Sequence, residues 1–243
     1  MESLPAYFVS DAHLGVNPPR SIADREERLV KKLREWRNAC SHLVIVGDLF
    51  EFWYEYRHYV NRHHFKLYRA LADMVDAGVQ VHYLCGNHDF ALGSFFPETL
   101  GVQIHKDLVL EIQGKRIYFM HGDGIPASDR GYRFARHIVD FPLNRTLFRS
   151  IHPDLGMGIA RWIGRSSRKM GENREIAIEE YLAAANARMK KNQCSICVHG
   201  HHHLSGTWSV PEGLVVSTGQ WLFSLEYAKM QNGNIELLKV DLK

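Results

Sequence analysis

Five times along the chain a short apolar or β-branched run breaks off into Gly, Asp, Asn or His: AYFVSDAH at 6–13, LVIVGD at 43–48, VQVHYLCGNHD at 79–89, RIYFMHGD at 116–123 and SICVHGHHH at 195–203. Runs of this kind closed by turn formers predict buried strands, each ending in a polar loop. Between them the period becomes helical. Residues 24–40 set Leu29, Leu33, Trp36 and Cys40 on one side among charges, with Ser21 as N-cap; Val60, His64, Leu67, Leu71 and Met74 do the same further on, with Gly78 as C-cap. Alternating strand and helix predict an α/β layered sheet, in which ligands gather at the carboxyl ends of strands. All five polar clusters fall there. Further strands at 214–217 and 235–240, beside turns at 211–213 and 232–234, predict a second sheet that is antiparallel in part.

Composition narrows the class. With 243 residues, 45% hydrophobic and 23% charged, the chain suits one large globular domain or two small ones. No apolar run approaches the ~20 residues needed to cross a bilayer, and the N-terminus lacks the features of a secretory signal, so a cytoplasmic location is expected. The pair Cys194-Ser-Ile-Cys197 has no second pair to complete a zinc set, and it reads as two buried thiols of a strand. Histidine is the outlier, with 15 residues.

Those histidines cluster with acids. In order the clusters are Asp11-x-His13, Gly47-Asp48, Gly86-Asn87-His88-Asp89, His121-Gly-Asp123 and Gly200-His201-x-His203. Imidazole, carboxylate and an Asn carbonyl are the ligands that Mn²⁺, Fe²⁺ and Zn²⁺ accept. Residues i and i+2 of an extended chain share a side, so both members of Asp-x-His and His-x-His face one site. The neighbouring glycines let backbone turn beside a ligand. Each cluster alone is commonplace; five together at strand ends point to a metal site. His202 alternates away from its neighbours, His199 belongs to the strand before them as a core or supporting histidine, and His63 and His64 read as solvated or packed on their helix. Asp123 either orients a ligand or caps its strand.

The ordered set D-x-H, G-D, G-N-H-[D/E], H-G and G-H-x-H resembles the calcineurin-like metallophosphoesterase superfamily and spans nearly the whole chain. The resemblance implies a single α/β metallophosphoesterase domain over 1–243: a two-sheet sandwich flanked by helices, with a helical cap insertion at about 125–193. It implies two divalent metal ions, Mn²⁺ first and Fe²⁺ or Zn²⁺ as alternatives. One would be held by Asp11, His13, Asp48 and His203, the other by Asp48, Asn87, His121 and His201, with Asp48 bridging. Asp48 and His88 would be catalytic, His88 as proton donor or charge stabiliser, with Asp89 orienting it. Within the superfamily, Gly47-Asp-Leu-Phe-Glu-Phe-Trp53, Gly86-Asn-His-Asp-Phe90, 121–129 with Tyr132, and 160–169 are similar to the UDP-2,3-diacylglucosamine diphosphatase family of lipid A synthesis. That family has Arg where this chain has His88. It implies a lipid-linked nucleotide sugar cleaved to UMP and a diacylglucosamine 1-phosphate, with Asn87, Asp129, Tyr132, Ser167, Arg168 and Arg174 on the substrate side.

The segment 125–193 carries ten Arg and three Lys against four Glu and three Asp, a net +6 where the whole chain is +3. Its arginines alternate with Phe, Ile, Leu and Trp, a mixture suited to anionic, amphipathic partners such as a membrane surface as well as to plain packing on the body. The competing readings are a phosphodiesterase or nuclease using the same metals, against which the apolar richness of the basic segment speaks, and a non-catalytic scaffold, against which the complete ligand set speaks.

Overall fold

The computed structural model describes residues 3–15, 24–89, 91–125, 147–148, 150–156, 158 and 178–241. Among these, β1 (Ala6–Val9), β2 (His42–Ile45) and β3 (Gln80–Leu84) run parallel, with β4 (Gln103–His105) parallel at one edge. On the other side of β1 lies the antiparallel hairpin β10 (Glu226–Gln231) and β11 (Asn234–Lys239), giving the order β11-β10-β1-β2-β3-β4. The second sheet has the order β5-β6-β7-β9-β8, from β5 (Asp107–Ile112), β6 (Lys115–Met120), β7 (Ile196–His199), β8 (Ser205–Val210) and β9 (Gly213–Thr218). Its central strands β6, β7 and β9 are parallel and its outer pairs antiparallel. The C-terminal strand β11 thus completes the first sheet, through a tight Asn232-Gly233 turn with both φ positive, the geometry that two-residue hairpins require.

Side-chain alternation sorts the strands into layers. Ala6, Phe8, Val44, Val46 and Leu84 meet Ile117, Phe119, Ile196, Val198 and Val216 between the sheets, Phe8 standing edge-on to Phe119 at 5.1 Å. Tyr7, Val9, Leu43, Ile45, Val81 and Tyr83 point the other way, under α1 (Arg25–Trp36) and α2 (Phe65–Asp76). On the far face, Tyr118, Met120, Cys197 and Val215 pack against Ala185 and Met189 of α3 (Ile178–Asn192). The architecture is therefore an α/β two-sheet sandwich with helices outside. Central strands covered on both faces need the continuous apolar runs seen in the sequence.

The helices differ at their ends from the periodicity. α1 stops at Trp36 and Cys40 is buried by the following turn; the expected cap Ser21 lies outside the described residues. The second helix begins at Phe65 and not at Val60, because the Asn61 side chain accepts the His63 N–H and starts a 3₁₀ turn over Arg62–His64. Gly78, at φ +88, follows α2 and donates to Val75, as a left-handed C-terminal residue should. The four thiols are free, with Cys194 and Cys197 buried.

His82 sits on the inner face of β3, between His42 of β2, whose ring stacks at 6.2 Å, and His105 of β4, whose Nε2 is 3.2 Å from His82 Nδ1. Burial, then the charges of His105 and His42, push His82 down to about 4. A histidine whose folded pKa lies below the unfolded ~6.5 leaves stability intact above that value and erodes it as pH falls toward about 4. Denaturant midpoints should therefore drop between pH 7 and pH 4.5, and His82→Phe should flatten that dependence; an unchanged slope would refute the assignment.

Candidate metal centre

Strands β1, β2, β3, β6 and β7 all end on one side, and their loops pair with one another. Asp11 N–H donates to Gly47 O at 3.2 Å, His13 N–H to Asp48 O at 3.0 Å, and Gly200 N–H to His121 O at 3.0 Å. Five of the residues presented here have left-handed backbones: Asp11, His13, Asp48, His201 and His203, with φ between 42 and 74. For residues with a Cβ this costs about 1–2 kcal/mol each, so the surrounding pairing must impose the conformation.

The Asp48 carboxylate stands at the middle. Its Oδ1 accepts the His88 N–H at 2.8 Å, while Oδ2 is 3.3 Å from His121 Nε2 and 3.8 Å from His13 Nε2. On one side Asp11 Oδ1 is 3.2 Å from His203 Nε2, which is 3.2 Å from His13 Nε2. Asp11 Oδ2 accepts the His201 N–H at 2.9 Å and the Ser10 hydroxyl. On the other side Asn87 Oδ1 lies 3.1 Å from His121 Nε2 and 2.8 Å from His201 Nδ1. The ligand atoms of Asp11, His13 and His203 fall within 4.8 Å of one another, as do those of Asp48, His121 and His201.

These groups fit a cation. His121 spends its Nδ1–H on the Val46 carbonyl at 2.8 Å, so its Nε2 is left to face Asp48 Oδ2 and Asn87 Oδ1. A ring nitrogen set against two oxygen acceptors in a buried site needs a positive charge between them, a proton in the metal-free protein or a cation in its place. Burial opposes charge on the His121 ring, yet Asp48 overrides it and lifts the ring to about 10; His13, also buried, is lifted to about 10 by Asp11, Glu51 and Asp48. Asp48 is itself buried, and His121 and His88 hold it far below the usual carboxylate range. His201 goes down to about 4 through burial and then the charge of His121. A cation must displace the protons on His13 and His121, so metal affinity should strengthen steadily as pH rises from 6 to 9. Chelation should cost about 2.7 kcal/mol of stability relative to protein held at a hundred times its Kd, read as a drop in melting temperature. Affinity flat across that pH range would show that those rings carry no displaceable proton.

The sequence model of the calcineurin-like phosphoesterase family matches residues 4–205, a span that takes in all five loops. The chain belongs to the calcineurin-like phosphoesterases. As a member of that family it is a metal-dependent hydrolase whose Asp/His groups suit divalent ions. A protein of Porphyromonas gingivalis named UDP-2,3-diacylglucosamine hydrolase is 30% identical over 241 residues, covering 91% of this chain and 92% of its own. One of the same name from Escherichia coli K12 is 32% identical over 198 residues, with 81% and 80% covered. A Streptococcus pneumoniae crystal structure described as a predicted phosphoesterase overlays with a TM-score of 0.45 at 14% identity, covering 98% of this chain and 91% of that one.

In this calcineurin-like phosphoesterase, His88 is fixed by its own Nδ1, 2.7 Å from the Glu51 carbonyl. Asp89 does not orient the His88 ring, as the motif had suggested. Its Oδ2 accepts the N–H groups of Asp48 at 2.8 Å and Gly86 at 3.0 Å, and its Oδ1 accepts the Tyr83 hydroxyl at 2.6 Å, so it braces the turn beneath Asp48. Burial and then the Asp48 charge raise Asp89 to about 7. His199 stacks on Tyr181 of α3 at 5.8 Å and His202 meets the same ring at 4.9 Å, away from the converging ligand atoms. His64 is buried against Glu26 at 2.9 Å and His63 is exposed. Asp123 is half-buried, close enough for its charge to raise His121 and His201. The expected substrate residues Asp129, Tyr132, Ser167, Arg168 and Arg174 lie outside the described residues, as does most of the insertion at 125–193. From that insertion Phe148 reaches the loop after β2, with ring centroids 4.6 Å from Tyr54 and 5.8 Å from Phe52. No described helix is long and apolar enough to cross a membrane.

Glu51 was missed by the sequence reading. It lies within 4.8 Å of the ligand atoms of His13 and His88. The signal was a lone acid inside Leu49-Phe50-Glu51-Phe52-Trp53, where nothing solvated belongs.

Proposed function

We propose that this phosphoesterase cleaves the diphosphate of UDP-2,3-diacylglucosamine, releasing UMP and 2,3-diacylglucosamine 1-phosphate, at a centre of two divalent cations with Mn²⁺ as the expected metal and Fe²⁺ or Zn²⁺ as alternatives. The observation that carries the chemistry is the position of Asp48, one carboxylate oxygen of which faces both His13 and His121. The substrate comes from the names of the two relatives, each aligned over four-fifths or more of both chains.

Asp11, His13, Asp48 and His203 would hold one cation and Asp48, Asn87, His121 and His201 the other. Such a pair supplies a water acidified to near-neutral pKa and charge neutralisation for an in-line displacement at phosphorus. The chain's own residues do the rest. Tyr83 and Asp89 keep Asp48 from swinging away. His88, whose Nδ1–H is committed to Glu51, offers Nε2 to the phosphate. Burial holds that ring below its ordinary pKa against the pull of Asp48. An arriving anion reverses the balance, so His88 takes up a second proton with the substrate and returns it to the leaving oxygen. The cap segment at 125–193, basic and apolar together, is assigned the acyl and sugar side and contact with an anionic membrane.

The test is UMP release with Mn²⁺ from UDP-2,3-diacylglucosamine, from UDP-N-acetylglucosamine without acyl chains, and degradation of single-stranded DNA. Release confined to the acylated compound is the expected result. Equal turnover of the unacylated sugar, or DNA cleavage at a similar rate, would replace this substrate with a general phosphodiester.

A further inference from the structure

Glu51 is 7% exposed, and no role described so far uses its carboxylate. Burying a charge is costly unless a partner offsets it. Oε2 of Glu51 lies 3.2 Å from His13 Nδ1 and 3.9 Å from His88 Nδ1. Because the Glu51 carbonyl already takes the His88 Nδ1–H at 2.7 Å, the close carboxylate contact belongs to His13. The opposite nitrogen of that ring, Nε2, looks into the ligand group, 3.7 Å from Asp11 Oδ1 and 3.8 Å from Asp48 Oδ2. Arg25, buried at the start of α1, clamps the same stretch of backbone: Nη2 donates to the His13 carbonyl at 2.9 Å and Nε to the Ala12 carbonyl at 3.3 Å. Its positive charge also interacts with Glu51.

Resting on the dinuclear reading above, we infer that Glu51 is a positioning residue for one of the two cations: its carboxylate takes the Nδ1 proton of His13 and so keeps the Nε2 lone pair on the metal side. A neutral imidazole has one lone pair, and the nitrogen carrying the proton is lost as a ligand. His13 has φ 42, so no regular strand aims its ring, and something outside the backbone must do it. His121 solves the same problem with a neutral partner, the Val46 carbonyl. The two cation positions are therefore unequal. The one built on Asp11, His13 and His203 has an extra carboxylate behind it, which makes that imidazole the stronger donor.

The inference is read from metal binding alone. Chelated protein titrated with Mn²⁺, followed by calorimetry and by the electron paramagnetic resonance of free Mn²⁺, should show two binding events. Glu51→Gln, which keeps the shape and loses the charge, should leave one event unchanged and weaken the other ~10–100-fold, the usual cost of disturbing a ligand's supporting partner; Glu51→Asp should recover part of the loss. In the Zn²⁺-loaded wild type, which needs no variant to fold, ¹⁵N-histidine spectra should show His13 coordinated through Nε2 with a proton on Nδ1. Coordination through Nδ1, or two events that stay within twofold of wild type or weaken equally in Glu51→Gln, overturns the inference alone. Failure of the wild type to take up any metal overturns it together with the dinuclear reading.

Discussion

Asp48→Asn is expected to lower turnover by ~10³-fold or more while the chain stays folded. The magnitude follows from the several kcal/mol of charge stabilisation that cations supply to phosphoryl transfer, at about 1.4 kcal/mol per tenfold, because no other described side chain faces both His13 and His121. The amide keeps an oxygen for the His88 N–H, now 2.8 Å from Oδ1. Its nitrogen would take the place of Oδ2 and donate to His121 Nε2, which loses the negative charge that holds a proton there in the metal-free native protein. Metal-free Asp48→Asn should therefore keep a cooperative melt, somewhat below that of the metal-free wild type, and elemental analysis should find fewer than two ions. Turnover within tenfold of wild type would end the bridging role.

Gly86→Ala should be nearly as damaging, by a different route. A Cβ at Gly86 would collide with Asp48 Oδ1 and stand 2.5 Å from the Asp48 backbone nitrogen. Neither side can yield, since the N–H groups of Asp48 and Gly86 are both tied to Asp89 Oδ2, at 2.8 and 3.0 Å. Strain of this kind costs about 1–3 kcal/mol of stability, and displacing a central ligand by ~1 Å costs on the order of 10²-fold in rate. The control is Gly114→Ala in the β5–β6 turn. Nothing lies within 4 Å there, so its only penalty is the left-handed backbone at φ +74. Denaturation curves and Mn²⁺ affinity together separate the two: Gly114→Ala should lose stability alone, Gly86→Ala both. Unaltered Mn²⁺ affinity in Gly86→Ala would mean that Asp48 tolerates the displacement.

The polar clusters were readable because each is local: a buried strand announces itself by an unbroken apolar run, and its chemistry follows within a few residues. The same logic gave the central strands and the layered arrangement. It failed where the signal is tertiary. Gln103–His105 is only three residues long, Glu226–Gln231 carries charges and Ser205–Val210 is mostly small polar residues, and they are strands because neighbours supply hydrogen bonds. Asp89 looked like a partner for the histidine beside it, whereas its hydrogen-bond partners reach back to Tyr83 and Asp48. Glu51 had no spacing motif at all, since its relation to His13 crosses from one strand's loop to the next.

The family match ends at residue 205, yet the architecture does not. After β9 the chain enters a short helix, α4 (Trp221–Ser224), whose first two N–H groups donate to the carbonyls of Ser10 and Asp11 at 3.1 and 3.0 Å. The Trp221 indole donates at 2.9 Å to the carbonyl of Arg25, the residue that clamps the His13 backbone. The tail is thus a fastener drawn across the first loop from behind, and a protein shortened to its recognisable motif would keep every histidine while losing the brace that holds Asp11 in register with them.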